Sequence, residues 1–508
     1  MSMRATIPAI LCAGVSACAV GPDYDPPKMS TPAQFQEGTA DEATAPLSAP
    51  AGTSRDISAW WRQFNDPELA RLIERALSGN LDLQTAASRV RQAREQVVIA
   101  GAAELPSLSA SAIGVNVHSN SNPLGGLFGP PPASAAQGGA GAAPPANSST
   151  NIKLYSLGFD ASWEIDIFGG TRRAIEAQEA SAESSLWQLR DAEVTLTAEV
   201  ATDYLSLRAA QARIALIQSE LSAQKNLFAL IHARRQTGFV TQLDVNQQQT
   251  LLSSTQAEIP QLDATIRTMS HALGVLLGKE PESLTAELSA SGALPGLPPS
   301  LPVGLPSELL RRRPDIRDAE RKLAAATANV GVAVADLYPK FNLLGLASFA
   351  GSHLSGLVSG NHFGTIALGQ ISWPIFEGGK IRANISASEE GRLQAYLAYR
   401  KAVLTALAEV EDALARYTTD QQRLLAIQDA ANAATSSVAI SEAEYRVGLT
   451  PFVNVLNAQT SSLSTKDQLV QTQAALTTDL ASLFKALGGG WSTSYVDPDK
   501  PPESPFTQ

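Results

Sequence analysis

Cysteine is nearly absent from this chain, with two copies in 508 residues, and no stretch approaches the roughly 18 consecutive apolar residues that a membrane-spanning helix needs. The first scarcity excludes a disulfide-stapled scaffold and the second excludes a transmembrane helix. Positive charge is also in deficit. Against 49 Asp and Glu stand 38 Lys and Arg, a formal net charge of −11, so no basic face is available to neutralise phosphates, and nucleic acid is not a partner. The five histidines, His118, His232, His271, His353 and His362, lack the spacing of a metal site. Catalytic signatures are missing as well: there is no G-x-S-x-G elbow and no H-E-x-x-H. Gly274 to Lys279 is one residue short of a phosphate loop and lacks its Ser or Thr. Glu164 and Asp166 could imitate a catalytic carboxylate pair, but the wall of a polar lumen explains them more simply. The expectation is therefore a protein that is not an enzyme and uses no metal or cofactor. A hydrophobic share of 44% and a charged share of 17% keep the chain inside the globular range.

What is present begins at the amino terminus. Residues 1–17 read as a secretory signal: Arg4, the apolar stretch Ile7 to Val15, then the small residues Ser16 and Ala17. Val15-Ser16-Ala17-Cys18 resembles a bacterial lipobox, in which the Cys becomes the first mature residue and carries acyl groups; the alternative is a buried free Cys. On the lipobox reading Cys12 leaves with the signal, and the covalent lipid on Cys18 anchors the chain. Ala19, standing where Asp would signal inner-membrane retention, points to delivery to the outer membrane. A lipid supplies an anchor and not a pore.

The chain repeats itself. Gly238 to Val245 matches Gly448 to Val455 at an offset of 210, with Gln249 and Gln459 in register and Trp163 paired with Trp373. Upstream the offset is 233, pairing Asp82 with Asp315 and Pro106 with Pro339, so the first half carries 23 extra residues. These belong to a low-complexity loop of Gly, Ala, Pro, Ser and Asn, about Ser119 to Thr150, whose short counterpart is about Gly351 to Asn361. The organisation expected is a signal over 1–17, an extended arm over 18–60, a first repeat over 61–280, a linker over 281–306, a second repeat over 307–487 and a tail over 488–508.

Within each repeat the pattern is helix, strand, loop, strand, long helix, turn, helix. The segment 154–166 alternates, with Tyr155, Leu157, Phe159, Ala161, Trp163 and Ile165 on one face and Asp160, Ser162, Glu164 and Asp166 on the other. Its mate over 363–375 alternates less cleanly, and the partner strands fall at 107–118 and 341–350. These lengths suit tilted membrane strands, with Trp163 and Trp373 in an interfacial girdle. Proline-free segments over 172–236 and 380–447 predict helices of roughly 100 Å, ending in turns at 237–242 and 448–451. An ordinary long coiled coil would explain the helices but not the amphipathic strands. Four strands cannot close a barrel, and an open sheet would leave unpaired edges in lipid, so copies must assemble. Two copies would give eight strands and a plugged interior, three would give twelve around a watery lumen, and the expectation is three.

Several motifs carry a family resemblance. Cys18-Ala19-Val20-Gly21-Pro22-Asp23-Tyr24 with Pro26 and Pro27 closely resembles the mature start of the outer-membrane factor family, the lipoprotein channels of tripartite efflux pumps. Trp60 to Pro67, Arg312-Arg313-Pro314-Asp315-Ile316 with Ala319-Glu320, Trp373 to Phe376 with Gly378-Gly379, and Glu409 to Leu414 agree, so the likeness runs from Cys18 to about Leu487. The resemblance implies an α+β homotrimer in the outer membrane, with a twelve-stranded barrel continued by a long periplasmic helical tunnel. It also implies a periplasmic adaptor, an inner-membrane transporter of the resistance-nodulation-division type, and passive conduction of drugs or other small molecules. A duct for type I protein secretion is the alternative.

Gly238 and Gly448 stand where long helices stop, as the left-handed position after a helix favours. By the resemblance, Gly238, Phe239, Gly448 and Leu449 form the periplasmic tip where the adaptor docks, and Val453, Asn454 and Asn457 constrict the tunnel. Asn replaces the usual acid at both polar positions, while Asp244, the mate of Asn454, supplies one carboxylate per chain. Ordinary interhelical packing is the alternative reading of these residues. Glu409, Glu411 and Asp412 are read as a solvated face or as interhelical ion pairs. Arg311, Arg312 and Arg313 precede a helix started by Pro314 and Asp315, and Pro106 and Pro339 mark helix-to-strand junctions.

Overall fold

The structure, a computed structural model, describes residues 19–36, 57–119, 150–290, 292–296, 306–357 and 363–500. The signal, Cys18, the low-complexity loop over 120–149, part of the linker and the last eight residues lie outside that set. In chain order the elements are α1 (Pro67–Gly79), α2 (Leu81–Gly101), β1 (Ser107–Ser119), β2 (Thr150–Ile165), α3 (Gly170–Gln236), α4 (Gln242–Leu276), α5 (Pro306–Arg312), α6 (Pro314–Ala335), β3 (Lys340–Gly351), β4 (Phe363–Ser372), α7 (Lys380–Arg446) and α8 (Phe452–Ala486). The two helices α3 and α7 have 67 residues each, about 100 Å at 1.5 Å per residue.

One unit comprises Met1–Tyr24, Gln96–Glu179 and Ala325–Arg392. Its sheet is an antiparallel meander in the order β1-β2-β3-β4, with Ser107 opposite Ser162, Ile165 opposite Phe341 and Lys340 opposite Ser372. Side chains alternate across it. Ser107, Ser109, Ser111, Asp160 and Ser162 share one face, where the Ser111 hydroxyl donates to Asp160 at 2.7 Å. Leu108, Leu157, Phe159 and Trp163 are exposed on the other. In the second hairpin the face that carries Asn342 and Gln370 also carries Leu344, Leu346, Ile366 and Leu368, so it is less polar than the first hairpin suggests.

Both tryptophans anchor a junction. The Trp163 indole donates to the Glu104 carbonyl at 2.9 Å and the Trp373 indole to the Leu337 carbonyl at 3.0 Å, in each case two residues before Pro106 or Pro339. Two expectations need correction here. The strand expected over 363–375 stops at Ser372, because Pro374 has no N–H to give to a ladder. The strand expected over 154–166 stops at Ile165, and Asp166 turns away to accept the Arg172 amide at 2.9 Å. There it offsets the orphan donors of the first turn of α3, which removes Asp166 from the lumen wall and from the imagined carboxylate pair.

The amino-terminal arm docks in the same unit. Val20 N–H donates to the Phe168 carbonyl at 3.0 Å, and Arg173 reaches the Val20 carbonyl at 3.2 Å and Asp23 at 2.6 Å. Gly21 has φ +91°, and a Cβ on it would lie 2.4 Å from the Gly331 Cα, so only glycine fits there.

The second unit comprises Asp25–Glu95, Ala180–Ala324 and Leu393–Gln508. Its core gathers Trp60, Trp61, Phe64, Leu69, Leu72, Ile73, Tyr204, Leu205 and Phe484. Asp66 starts α1 by accepting the amides of Glu68 and Leu69, with Pro67 at the first helical position, and its other oxygen takes the Tyr204 hydroxyl at 2.8 Å. Within the linker expected over 281–306, Pro281–Leu284 forms a 3₁₀ turn, Thr285–Leu288 one helical turn, and Leu284 and Leu288 are buried. Arg313 explains much of the arginine and acid motifs, since it donates to the Ala486 carbonyl and pairs with Asp315 and Glu409, each at 2.7 Å. For Glu409 the structure thus selects an ion pair.

Glu193 on α3 is fully buried beside Arg190, 2.6 Å away, and Arg190 also donates to the Val496 carbonyl of the tail. Burial pushes the Glu193 carboxyl up to about 7 despite the pull of Arg190. An acid whose folded pKa is raised binds its proton more tightly in the folded state, so stability rises as pH falls from 8 toward the unfolded value near 4.5. Between pH 8 and pH 5.5 the gain is about 2 kcal/mol. The tail over 491–500 is therefore expected to resist proteolysis better at pH 5.5, and Glu193→Gln to flatten the profile. A wild-type profile that is already flat would remove this role.

Candidate functional site at the helical turns

The two long hairpins, α3 with α4 and α7 with α8, end in turns built alike. At the first, Gly238 N–H donates to the Arg235 carbonyl and Phe239 N–H to the Arg234 carbonyl, at 3.1 and 3.0 Å. At the second, Gly448 donates to Tyr445 and Leu449 to Glu444, at 3.1 and 2.9 Å. Both are Schellman closures, and Gly238 and Gly448 take φ of +80° and +79°. The residues that follow, Phe239 and Leu449, are 83% and 79% exposed. They form two apolar knobs that no described residue covers.

The return helices start differently. Thr241 caps α4 in a capping box: its hydroxyl accepts the Asp244 amide while Asp244 accepts the Thr241 N–H at 2.9 Å. Asp244 is thus engaged at the helix start. Its mate Asn454 sends its amide to the Thr450 hydroxyl at 2.7 Å, and Pro451 stands in place of Thr241. Val453 and Asn457, four residues apart, lie exposed on one face of α8.

The turns meet. Leu227, Ile231 and Val245 of the first hairpin pack with Tyr445, Phe452 and Val455 of the second. Arg234 crosses the gap, donating to the Arg446 carbonyl at 2.9 Å and the Tyr445 carbonyl at 3.4 Å, with its guanidinium 5.3 Å from the Tyr445 ring centre. It thereby satisfies carbonyls left open at the end of α7. Sequence reasoning missed Arg234, whose signal was a basic residue in the last turn of a helix. It also missed Leu243 and Gln247, which the offset of 210 pairs with Val453 and Asn457; Leu243 is 64% exposed.

Comparison with known proteins places this geometry. Residues 72–279 and 305–489 match the family described as "Outer membrane efflux protein". Nodulation protein T of Rhizobium leguminosarum bv. trifolii is 31% identical over 483 residues, covering 94% of this chain and 96% of that protein. The pyoverdine export outer membrane protein OpmQ of Pseudomonas putida is 33% identical over 470 residues, covering 92% and 94%. Among solved structures the outer-membrane channel OprN has a TM-score of 0.83 at 34% identity, covering 93% of this chain and 100% of that one. Two of these, OpmQ and OprN, are by name an outer-membrane export protein and an outer-membrane channel, and the family resemblance read from the sequence motifs is borne out. The chain belongs to the outer membrane efflux protein family, as an outer-membrane channel with a large periplasmic helical portion.

Proposed function

We propose that three copies of this chain form the passive exit duct of a tripartite pump, receiving drugs or other small molecules from a periplasmic adaptor and an inner-membrane transporter of the resistance-nodulation-division type. The observation that carries the reading is the sheet: among the described residues it has four strands, one apolar and one partly polar face, and no partner on the outer edge of β1 or of β4. In hydrocarbon every backbone donor must be paired, so such a sheet is stable only when closed by other copies. Energy for export comes from the inner-membrane partner. The apolar knobs Phe239 and Leu449 suit docking of the adaptor, and Val453, Asn454, Asn457 and Asp244 suit a constriction near the turns. A covalent lipid on Cys18 anchors each copy, and Cys18→Ala is expected to abolish incorporation of labelled palmitate.

The test is the native mass of the mature protein, extracted from outer membranes in mild detergent and measured by light scattering corrected for bound detergent. Three copies support the duct; single copies would sink it. Asn457→Asp places three carboxylates around the axis and is expected to raise cation over anion permeability severalfold in bilayer recordings. An unchanged reversal potential would remove Asn457 from the constriction.

A further inference from the structure

The two strand hairpins are related residue by residue. Moving the β1·β2 pairs by the two repeat offsets, 233 for β1 and 210 for β2, turns Ser107 opposite Ser162 into Lys340 opposite Ser372, and Leu108 opposite Ala161 into Phe341 opposite Ile371. Those are the pairs found in β3·β4. The register survives although the repeat offsets of the two strands differ by 23 residues, so it is a property of the repeated strands and not of their turns. Among the described residues one strand contact has no such mate: β2·β3, where the hairpins meet. Its mate can exist only between copies, where β4 of one copy meets β1 of the next.

We propose that this junction between copies repeats the β2·β3 register, with Ser372 opposite Ser111, Ile371 opposite Ala112, Gln370 opposite Ile113 and Leu368 opposite Val115 of the next copy. The in-chain templates are Ser162 with Leu344, Ala161 with Gly345, Asp160 with Leu346 and Gly158 with Ser348. This rests on the three-copy reading and adds what that reading leaves open. The register keeps faces continuous, since it sets Ile371 beside Ala112 on the face that carries Leu108, Phe159 and Trp163. A slip of one residue would send every side chain to the wrong face, whereas slips of two would not, and the repeat chooses among those.

The flanks of the two free edges fit the same pairing. Within the chain Phe168 stacks on Tyr338 with ring centres 4.6 Å apart, and Val332 lines the small cavity at that junction with Ile165, Phe168 and Ala335. The mates of Tyr338 and Val332 are Leu105 and Ile99, which are 67% and 62% exposed. Beyond β4, Ile375 is the mate of Ile165, and Phe376 lies nearest the place of Phe168 in a connection one residue shorter; both are more than 80% exposed. Two uncovered apolar patches thus stand at the two ends that the pairing brings together, Ile375 and Phe376 of one copy against Leu105 and Ile99 of the next.

Paired cysteines test the register in the full-length lipoprotein within outer membranes. Directly opposed antiparallel residues have Cα atoms about 4.5 or 5.5 Å apart, within disulfide reach, while residues two positions off lie at about 7–8 Å. Under mild oxidation Ile371→Cys with Ala112→Cys, and Gln370→Cys with Ile113→Cys, are expected to convert most of the chain to a covalent three-copy species. The off-register pairs Ile371→Cys with Ala110→Cys and Ile371→Cys with Gly114→Cys are expected to link at least tenfold less. Preferential linking of an off-register pair, or no linking in any variant whose native mass is three copies, overturns the register and leaves the three-copy duct standing. A native mass of one copy overturns both.

Discussion

Arg234→Ala is expected to raise the conductance of the channel in planar bilayers about tenfold and to make cells sensitive to large antibiotics that the intact outer membrane excludes. The guanidinium ties the end of α7 to the end of α3 through two backbone carbonyls and the Tyr445 ring. It is partly solvent-exposed, so these contacts together hold the hairpins by about 1–2 kcal/mol and not by their full strength. That energy corresponds to roughly a tenfold change in the ratio of joined to separated hairpins. Arg234→Lys keeps the charge but loses the planar fork, and falls between the two. The apolar cluster of Leu227, Ile231, Val245, Tyr445, Phe452 and Val455 remains in both variants, so three-copy assembly is retained. Unaltered conductance in assembled Arg234→Ala would show that the hairpins are held by that cluster alone.

Trp60→Ala is expected to cost about 3–5 kcal/mol of stability, the largest loss from any single side chain considered. Trp60 is completely buried, stacks on Phe484 at 5.3 Å between ring centres, and meets Trp61 and Phe64 edge-on at 6.0 Å each. It therefore joins the 3₁₀ turn Trp60–Phe64 to the far end of α8. Its removal leaves a cavity between elements more than 400 residues apart in sequence, which local backbone shifts cannot fill. The expected signs are faster tryptic cleavage of the helical unit and a lower steady-state level in the outer membrane. Trp60→Phe, which keeps the stacked ring, is expected to recover much of the loss. Wild-type protease resistance in Trp60→Ala would show that the aromatic cluster packs without it.

Periodicity and the internal offset made the strands and long helices legible, because both report properties that each segment carries by itself. Gly238 and Gly448 were legible for the same reason: a left-handed position after a helix selects glycine wherever the helix sits. The ends of elements were harder. Asp166 continues the alternation of β2 perfectly, and only the start of α3, four residues on, draws it out of the strand. Pairings between distant segments left no local trace. Arg234 with Tyr445, Arg190 with Val496, and Arg313 with Glu409 depend on which segments become neighbours, and single-sequence patterns do not encode that. Asp244 shows the remaining difficulty, since one carboxylate can satisfy a helix start and also face a lumen.

The socket of the amino-terminal arm bears on biogenesis. Ala19 to Tyr24 is made early in synthesis, yet its seat is made of Phe168, Arg173 and Gly331, the last of these some 310 positions downstream of Gly21. During synthesis and passage across the inner membrane the arm has nowhere to sit. Contacts of such separation form late, after the intervening chain has condensed. The newly made polypeptide therefore keeps this segment undocked, and open to other contacts, until that condensation is complete. Seating of Gly21 against Gly331, where no side chain can intrude, marks its completion.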